Sequence, residues 1–293
     1  MPHPTQSFVR NYLLSVIDAA AYAAIGPHLE SVDLPKGNVL IEAGEPFAHA
    51  HFFNSGIGSI VVSTADSRRV EAGIFGREGL SGFGCLLGVD QCPQTTLVQV
   101  EGEGYRVSIE ALRTACQQSA SLRETLLRYV HVFISQTSYT ALSNVNQLVE
   151  GRLARWLLMC HDRVTGDDIS LTHEFLAIVL AVRRSSVTTA LHMIEGYGFI
   201  KARRGHIAIV HHEVLIDFAD GMYGTPEAEY RRLIGPFLSK SANFKWHHRR
   251  PRWHRSRRLN GRTARGHIGG APASGKRHSD RCCTTRVCVP DHE

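Results

Sequence analysis

What the 293-residue chain lacks narrows its reading first. No apolar run approaches the ~20 residues that a membrane-spanning helix requires. The opening MPHPTQSFVRNYLLSVIDAAAYAA has one early basic residue and an interrupted apolar stretch from Tyr12 to Ile17. That is a poor secretory signal, and a cytoplasmic protein with no membrane partner is expected. There is no nucleophile elbow, Walker loop, dinucleotide-binding glycine fingerprint or HExxH motif, so no enzyme is expected. His161-Asp162 and His211-His212-Glu213 read as polar surface. The seven cysteines form no CxxC pair. Cys85, Cys92, Cys116 and Cys160 are scattered, which is no disulfide framework. The terminal run CCTTRVCVPDH has no second ligand pair at zinc-finger spacing, so no metal site is expected.

Most of the chain also lacks net positive charge. Of 33 basic and 27 acidic residues, 14 and 3 fall from Phe237 onward, which leaves 1–236 at −5 and the tail at +11. Any affinity of the body for nucleic acid must therefore come from local clusters rather than the overall field. The tail, 237–293, is Arg, His, Ser and Gly with few large apolar residues. It cannot bury enough surface to offset its ordering entropy, and disorder is expected there.

The texture of what remains changes twice. A short helical pattern lies within 8–30, with Leu13, Leu14, Ile17, Ala20 and Ala24 at spacings of three and four. Between about 32 and 110, glycines recur and the apolar runs NVLI, HFF, GSIVVS, TLVQV and YRVSI are strand-sized. Tyr105, Val107 and Ile109 alternate with Arg106, Ser108 and Glu110, the period of a half-buried strand. Many short strands with glycine turns argue for a sandwich or jelly roll. From Ser121 to about Asn146 neither Gly nor Pro occurs, and the period is helical. One apolar stripe is Leu122, Leu126, Tyr129, Phe133. A second is Leu127, Val130, Ile134, Thr137, Ala141, Val145, Leu148. Two stripes need two covering surfaces. One can be the sheet domain, and the other fits a partner helix across a two-fold axis, with Val130, Ile134, Thr137 and Ala141 as its centre.

LTHEFLAIVLAVRRSSVTTALHMIEGYGFIKARRGHIAIV carries the sharpest signal. Thr172 can cap a helix ending at Leu180, with Glu174 near its positive dipole end. Ala177 and Ala181 are small where a second helix must cross and turn. Val187, Ala190, Leu191 and Ile194 then form an inward face, the pattern of a helix-turn-helix. Outward stand Arg184, Ser185, Thr188 and Thr189, residue types that read base edges, with Arg183, His192 and Thr172 beside them as phosphate contacts. GFIKARRGHIAIV reads as a two-stranded wing that brings Lys201, Arg203, Arg204 and His206 to the DNA backbone.

On these residues, from LPKGNVLIEAGEPFAHAHFFNSG through REGLSGFGCLLG and the long helix to this block, the chain resembles the Crp/Fnr family of bacterial transcription regulators over about 30–220. The resemblance implies an α+β chain. A cyclic-nucleotide-binding-like β jelly roll would occupy 1–120, a long dimerisation helix 121–147 and a winged helix-turn-helix 148–222. It implies a homodimer acting on an inverted repeat in double-stranded DNA, RNA polymerase as a further partner and a small effector at the jelly roll. Family members often carry Glu and Arg where Ser185 and Thr189 stand, so a different half-site is expected. The effector pocket would include Gly82, Phe83, Gly84, Gln94, Thr95 and Thr96. Nucleotide-binding members place an acid and an arginine in this cassette. Here Phe83 stands near the acid's place and Gln94, Thr95 and Thr96 near the arginine's. A buried cyclic phosphate would lack a counter-charge, so no cofactor and no tight cAMP binding are expected. The competing function is a small-ligand sensor whose output is protein contact. Residue types alone identify neither the effector nor the target genes.

Overall fold

The computed structural model describes residues 4–66 and 68–236. The tail 237–293, expected to be disordered, lies outside the described residues. The N-terminal helical pattern resolves into two short helices, α1 (Tyr12–Val16) and α2 (Ala19–Ile25), because Asp18 stops one and caps the other. Its carboxylate accepts from the Ala21 N–H at 2.8 Å. The buried small residue on α2 is Ala21, while Ala20 is exposed.

Seven strands follow: β1 (Glu30–Leu34), β2 (Val39–Ile41), β3 (His49–Phe53), β4 (Ile57–Ser63), β5 (Arg69–Phe75), β6 (Thr95–Val100) and β7 (Gly102–Ser108). They form two antiparallel sheets, ordered β1-β7-β3 and β2-β6-β4-β5. All five strands expected from the sequence are present. β1 and β5 were not singled out, because ESVDL and RVEAGIF mix polar and apolar residues without a long apolar run. The last strand stops earlier than its alternation suggests. Ser108 turns out of the sheet, accepts from the Ala111 N–H at 3.2 Å and starts α3 (Ile109–Gln118), so Ile109 is helical. Inside, Phe52, Phe53, Phe75, Leu80, Val98 and Val107 pack into one core. Each large side chain buried there contributes roughly 1.5–3 kcal/mol.

The long helix α4 (Ala120–Asn146) begins where Ser119 accepts from the Leu122 N–H at 3.2 Å. Its first stripe, Leu122, Leu126, Tyr129 and Phe133, is buried in the sheet-domain core. The approach to β5 is close. A Cβ on Gly73 would lie 2.8 Å from Gln136 Oε1 and 2.9 Å from the Phe133 ring, so only glycine admits the helix there. Gln136 Oε1 in turn accepts from the Ile74 N–H at 2.9 Å.

After a break at Gln147 and Leu148 come α5 (Val149–His161), β8 (Asp168–Ser170), α6 (His173–Val179), α7 (Arg184–Gly196), β9 (Ile200–Arg203), β10 (His206–Ile209) and α8 (His212–Phe218). β8, β10 and β9 form a small antiparallel sheet. Leu153, Leu157, Leu176, Val187, Leu191, Ile194, Ile207 and Leu215 make a second core. Ile57 of β4 and Ile74 of β5 belong to that same cluster, so the helical domain is seated on the outer face of the four-stranded sheet. Polar contacts fasten the seat. Trp156 Nε1–H donates to Glu71 at 2.6 Å, Ser59 Oγ–H donates to the other oxygen of Glu71 at 2.5 Å, and Arg163 pairs with Glu78 at 2.8 Å.

One element was missed entirely. The final described helix, α9 (Thr225–Leu233), lies beyond the expected domain end at 222 and turns back onto α4. Tyr230 joins the sheet-domain core, and its hydroxyl donates to the Glu78 carbonyl at 2.9 Å.

Candidate nucleic-acid interface

The helix-turn-helix forms for reasons legible residue by residue. Thr172 accepts from the Phe175 N–H at 3.2 Å and starts α6, whose first turn carries Glu174. The turn closes with Leu180 N–H on Leu176 O and Val182 N–H on Ala177 O, both at 3.0 Å. Ala181 takes φ +49° there, a left-handed backbone that a larger side chain resists. α7 then buries Val187, Ala190, Leu191 and Ile194.

The opposite face of α7 is open. Arg183, Arg184, Ser185, Thr189 and His192 are exposed and Thr188 is half-buried. Thr188 and Thr189 donate their hydroxyls to the carbonyls one turn back, Arg184 O at 3.2 Å and Ser185 O at 3.1 Å. Their oxygens remain acceptors. Arg184 reaches Glu174 at 3.1 Å. Thr172 is exposed as well, its oxygen already engaged in capping. The wing turns at Arg204-Gly205, where Gly205 has φ +77°, and Lys201, Arg203, Arg204 and His206 are all exposed. His206 is held by Asp168 at 2.8 Å. A helix with hydroxyl and guanidinium groups on its free face, flanked by a basic hairpin, can enter a major groove while the hairpin meets phosphates.

The residues expected at the dimer surface divide. Ile134 is 56% exposed and Ala141 is exposed, and so are Val145 and Leu148 of the same stripe. Thr137 is half-buried. Val130 is corrected: at 3% exposure it belongs to the interior of its own chain, and the open stripe does not include it. The expected pocket residues fall on two elements. Gly82, Phe83 and Gly84 lie at a short 3₁₀ turn, and Thr95 and Thr96 on β6 beside Gln94. Phe83 meets Tyr129 of α4 edge-on and Phe133 at a tilt, with ring centroids at 6.0 and 4.9 Å, and fills the space between turn and helix with aromatic surface. Thr96 is buried within its sheet. Among the described residues no cluster of three or more His, Cys, Asp or Glu could hold a metal, and no helix is long and apolar enough to cross a membrane.

Sequence reasoning missed several groups of consequence. Glu71 and Trp156 meet across the two domains. Burial pushes Glu71 up to about 7 against the smaller opposing effects of its two hydrogen bonds and of Arg155 and Arg163. Burial works to lower Arg163, but Glu78, Asp162 and Glu227 hold it raised. His173 was likewise overlooked, although its Nδ1 lies 3.1 Å from Thr188 Oγ.

These features define a winged helix-turn-helix DNA-binding domain carried on a jelly-roll domain. Residues 151–218 match the Crp-like helix-turn-helix domain. The chain is 27% identical over 194 residues to the CRP-like cAMP-activated global transcriptional regulator of Mycobacterium tuberculosis, across 63% of this chain and 86% of that one. In fold it is similar to a Crp/Fnr-family regulator from Eubacterium rectale (TM-score 0.57, 16% identity, 71% of this chain and 98% of that one). It is also similar to the c-di-GMP-responsive global regulator CLP of Xanthomonas campestris (TM-score 0.53, 19% identity, 71% and 100%). The chain thus carries a Crp-like helix-turn-helix domain over 151–218 and is similar in sequence and fold to Crp/Fnr-family transcription regulators.

Proposed function

We propose that the protein acts as a homodimer that reads an inverted repeat, with α7 of each copy in successive major grooves about 34 Å apart. The observation that carries this reading is the open stripe on α4. Leu127, Ile134, Ala141 and Leu148 recur every seven residues, the spacing of a coiled-coil seam, and the last three are exposed. A second copy related by a two-fold axis would cover this stripe and carry a second recognition helix. Arg184, Ser185, Thr188 and Thr189 then face base edges. Arg183, His192, Thr172, Lys201, Arg203, Arg204 and His206 face phosphates.

The effector acts at the jelly roll and is not bound as cAMP is bound by an acid and an arginine. The family likeness to a cAMP-activated regulator and to a c-di-GMP-responsive one supports a signal at this domain. Phe83 packed on Tyr129 and Phe133 supports an apolar lining rather than a phosphate cradle. RNA polymerase is the further partner implied by the family. The test is selection from a random duplex pool by the full chain at moderate salt. An enriched inverted repeat is expected, with Arg184→Ala weakening binding by roughly 1–3 kcal/mol at one base position per half-site. A loss that is equal on all sequences would make Arg184 a phosphate contact. No enrichment would favour an output through protein contact.

A further inference from the structure

The first turn of α6 touches the reading face of α7 at two points. Glu174 Oε1 lies 3.1 Å from Nη1 of Arg184, and His173 Nδ1 lies 3.1 Å from Thr188 Oγ. Thr188 already donates its hydroxyl to the Arg184 carbonyl at 3.2 Å. With the imidazole proton on Nδ1, His173 therefore donates to Thr188 and both bonds are satisfied. Two of the four side chains on the reading face are thus held by residues of the other helix.

The Arg184 guanidinium has five donors in a planar fork. Glu174 engages Nη1 and leaves the Nε/Nη2 edge free. Two parallel donors on one edge match the O6 and N7 acceptors of guanine. Both partners are about two-thirds exposed, 67% for Arg184 and 61% for Glu174. An ion pair so exposed adds little to fold stability, so its consequence lies at the interface. A carboxylate on a DNA-facing surface opposes phosphate binding everywhere. Paired with Arg184, it cancels that arginine's undirected attraction for phosphate and keeps its directed hydrogen bonds. Preorganising the fork also removes conformations that would otherwise have to be lost on binding.

We propose that Glu174 is a specificity-determining positioning residue that pins Nη1 of Arg184 and leaves its other edge to read a guanine, with His173 fixing Thr188 alongside. This rests on Arg184 being a base contact, as proposed for the homodimer.

The experiment is site selection by the full chain as wild type, Arg184→Ala, Glu174→Gln and Glu174→Asp. Binding titrations follow on the selected duplex and on its single-base variants. The expected result is that Arg184→Ala and Glu174→Gln weaken the same guanine. Glu174→Gln should lower its preference by about 3–10-fold, a part of what a full bidentate contact supplies. Other positions stay unchanged, affinity for unrelated DNA rises, and Glu174→Asp restores part of the preference. If Arg184→Ala erases one position while Glu174→Gln leaves every position as it was, the inference is overturned and the base contact stands. The inference is overturned equally if Glu174→Gln shifts all positions alike. If Arg184→Ala erases no position, or wild type enriches nothing at micromolar protein, the base contact itself falls and the inference with it. Thermal midpoints serve as the folding control, since neither exposed side chain belongs to a core.

Discussion

Replacing Glu71 by Gln should make the protein more stable than wild type at pH 8 and nearly equal to it at pH 5. Glu71 is 4% exposed, between the four-stranded sheet and the helical domain. Burial is the largest influence on it and raises its carboxyl from an ordinary 4.5 to about 7. The unfolded chain therefore releases this proton near 4.5, while the folded chain holds it until about 7. Over that window the folded state binds more protons, so stability falls as pH rises. At about 1.4 kcal/mol per pH unit the loss amounts to roughly 3 kcal/mol, complete once pH exceeds the folded value. Glutamine keeps the geometry. Its oxygen can accept from Trp156 Nε1–H and its amide can donate to Ser59, in place of contacts now 2.6 and 2.5 Å long.

His51 works in the other direction. Burial, with His49 and Arg106, lowers it from 6.5 to about 4, so its contribution is present above 6.5 and is lost as pH falls through 4. The raw pH profile of wild type mixes the two, and the difference between wild type and Glu71→Gln isolates Glu71. Urea unfolding at pH 5, 6, 7 and 8 measures it. The advantage of Gln should grow by roughly 3 kcal/mol across the series. A difference independent of pH would refute the reasoning, and a growing advantage of wild type would reverse its sign.

Three other perturbations follow from particular contacts. Glu78→Ala leaves Arg163 buried without the carboxylate that pairs with it at 2.8 Å, and should cost about 3–5 kcal/mol in denaturant unfolding. Ala181→Gly relieves a φ of +49° in the helix-turn-helix and should be neutral to stabilising by up to about 1 kcal/mol, whereas Ala181→Val should lower the thermal midpoint. Ile134→Glu combined with Val145→Glu, at positions 56% and 84% exposed, should yield a monomer in sedimentation analysis with a near wild-type circular dichroism spectrum. A dimer that survives both charges would refute the proposed two-fold interface on α4.

The DNA-binding end was legible because its constraints are local. A capping Thr172, small Ala177 and Ala181, and an apolar face at Val187, Ala190, Leu191 and Ile194 each follow from helix geometry over about twenty residues. The two stripes of α4 were legible for the same reason. Their fates differ as expected: Leu122, Leu126, Tyr129 and Phe133 are buried by the chain, and Ile134, Val145 and Leu148 are not. Val130 fails because periodicity fixes an angle on the helix and not what lies beside it. By the helical period residue 130 lies at the same angle as Leu148, about five turns further on, yet the chain's own packing covers Val130 and leaves Leu148 62% exposed.

The contacts between domains were illegible for a different reason. Glu71 sits in RVEAGIF as one charge in a short strand, and Trp156 in RWLLMC as one aromatic of an amphipathic helix. Neither local pattern announces a partner 85 residues away. The same holds for Tyr230, whose hydroxyl reaches the Glu78 carbonyl across 152 residues. TPEAEYRRL carries only a short helical signal, and a helix of that length takes its stability from tertiary packing rather than propensity. What such contacts share is a polar group made tolerable in the interior by specific partners: Glu71 by the donors Trp156 and Ser59, Arg163 by Glu78 and, at longer range, Asp162 and Glu227. The helical domain is therefore seated on the sheet through a few directional bonds around an apolar patch of Ile57 and Ile74. Directional bonds are lost together when the seat shifts, whereas apolar contacts can slide. A junction built this way favours one registered arrangement of the sheet and α5, and a shift of α5 across the sheet would have to break or re-form the Glu71 and Glu78 pairs.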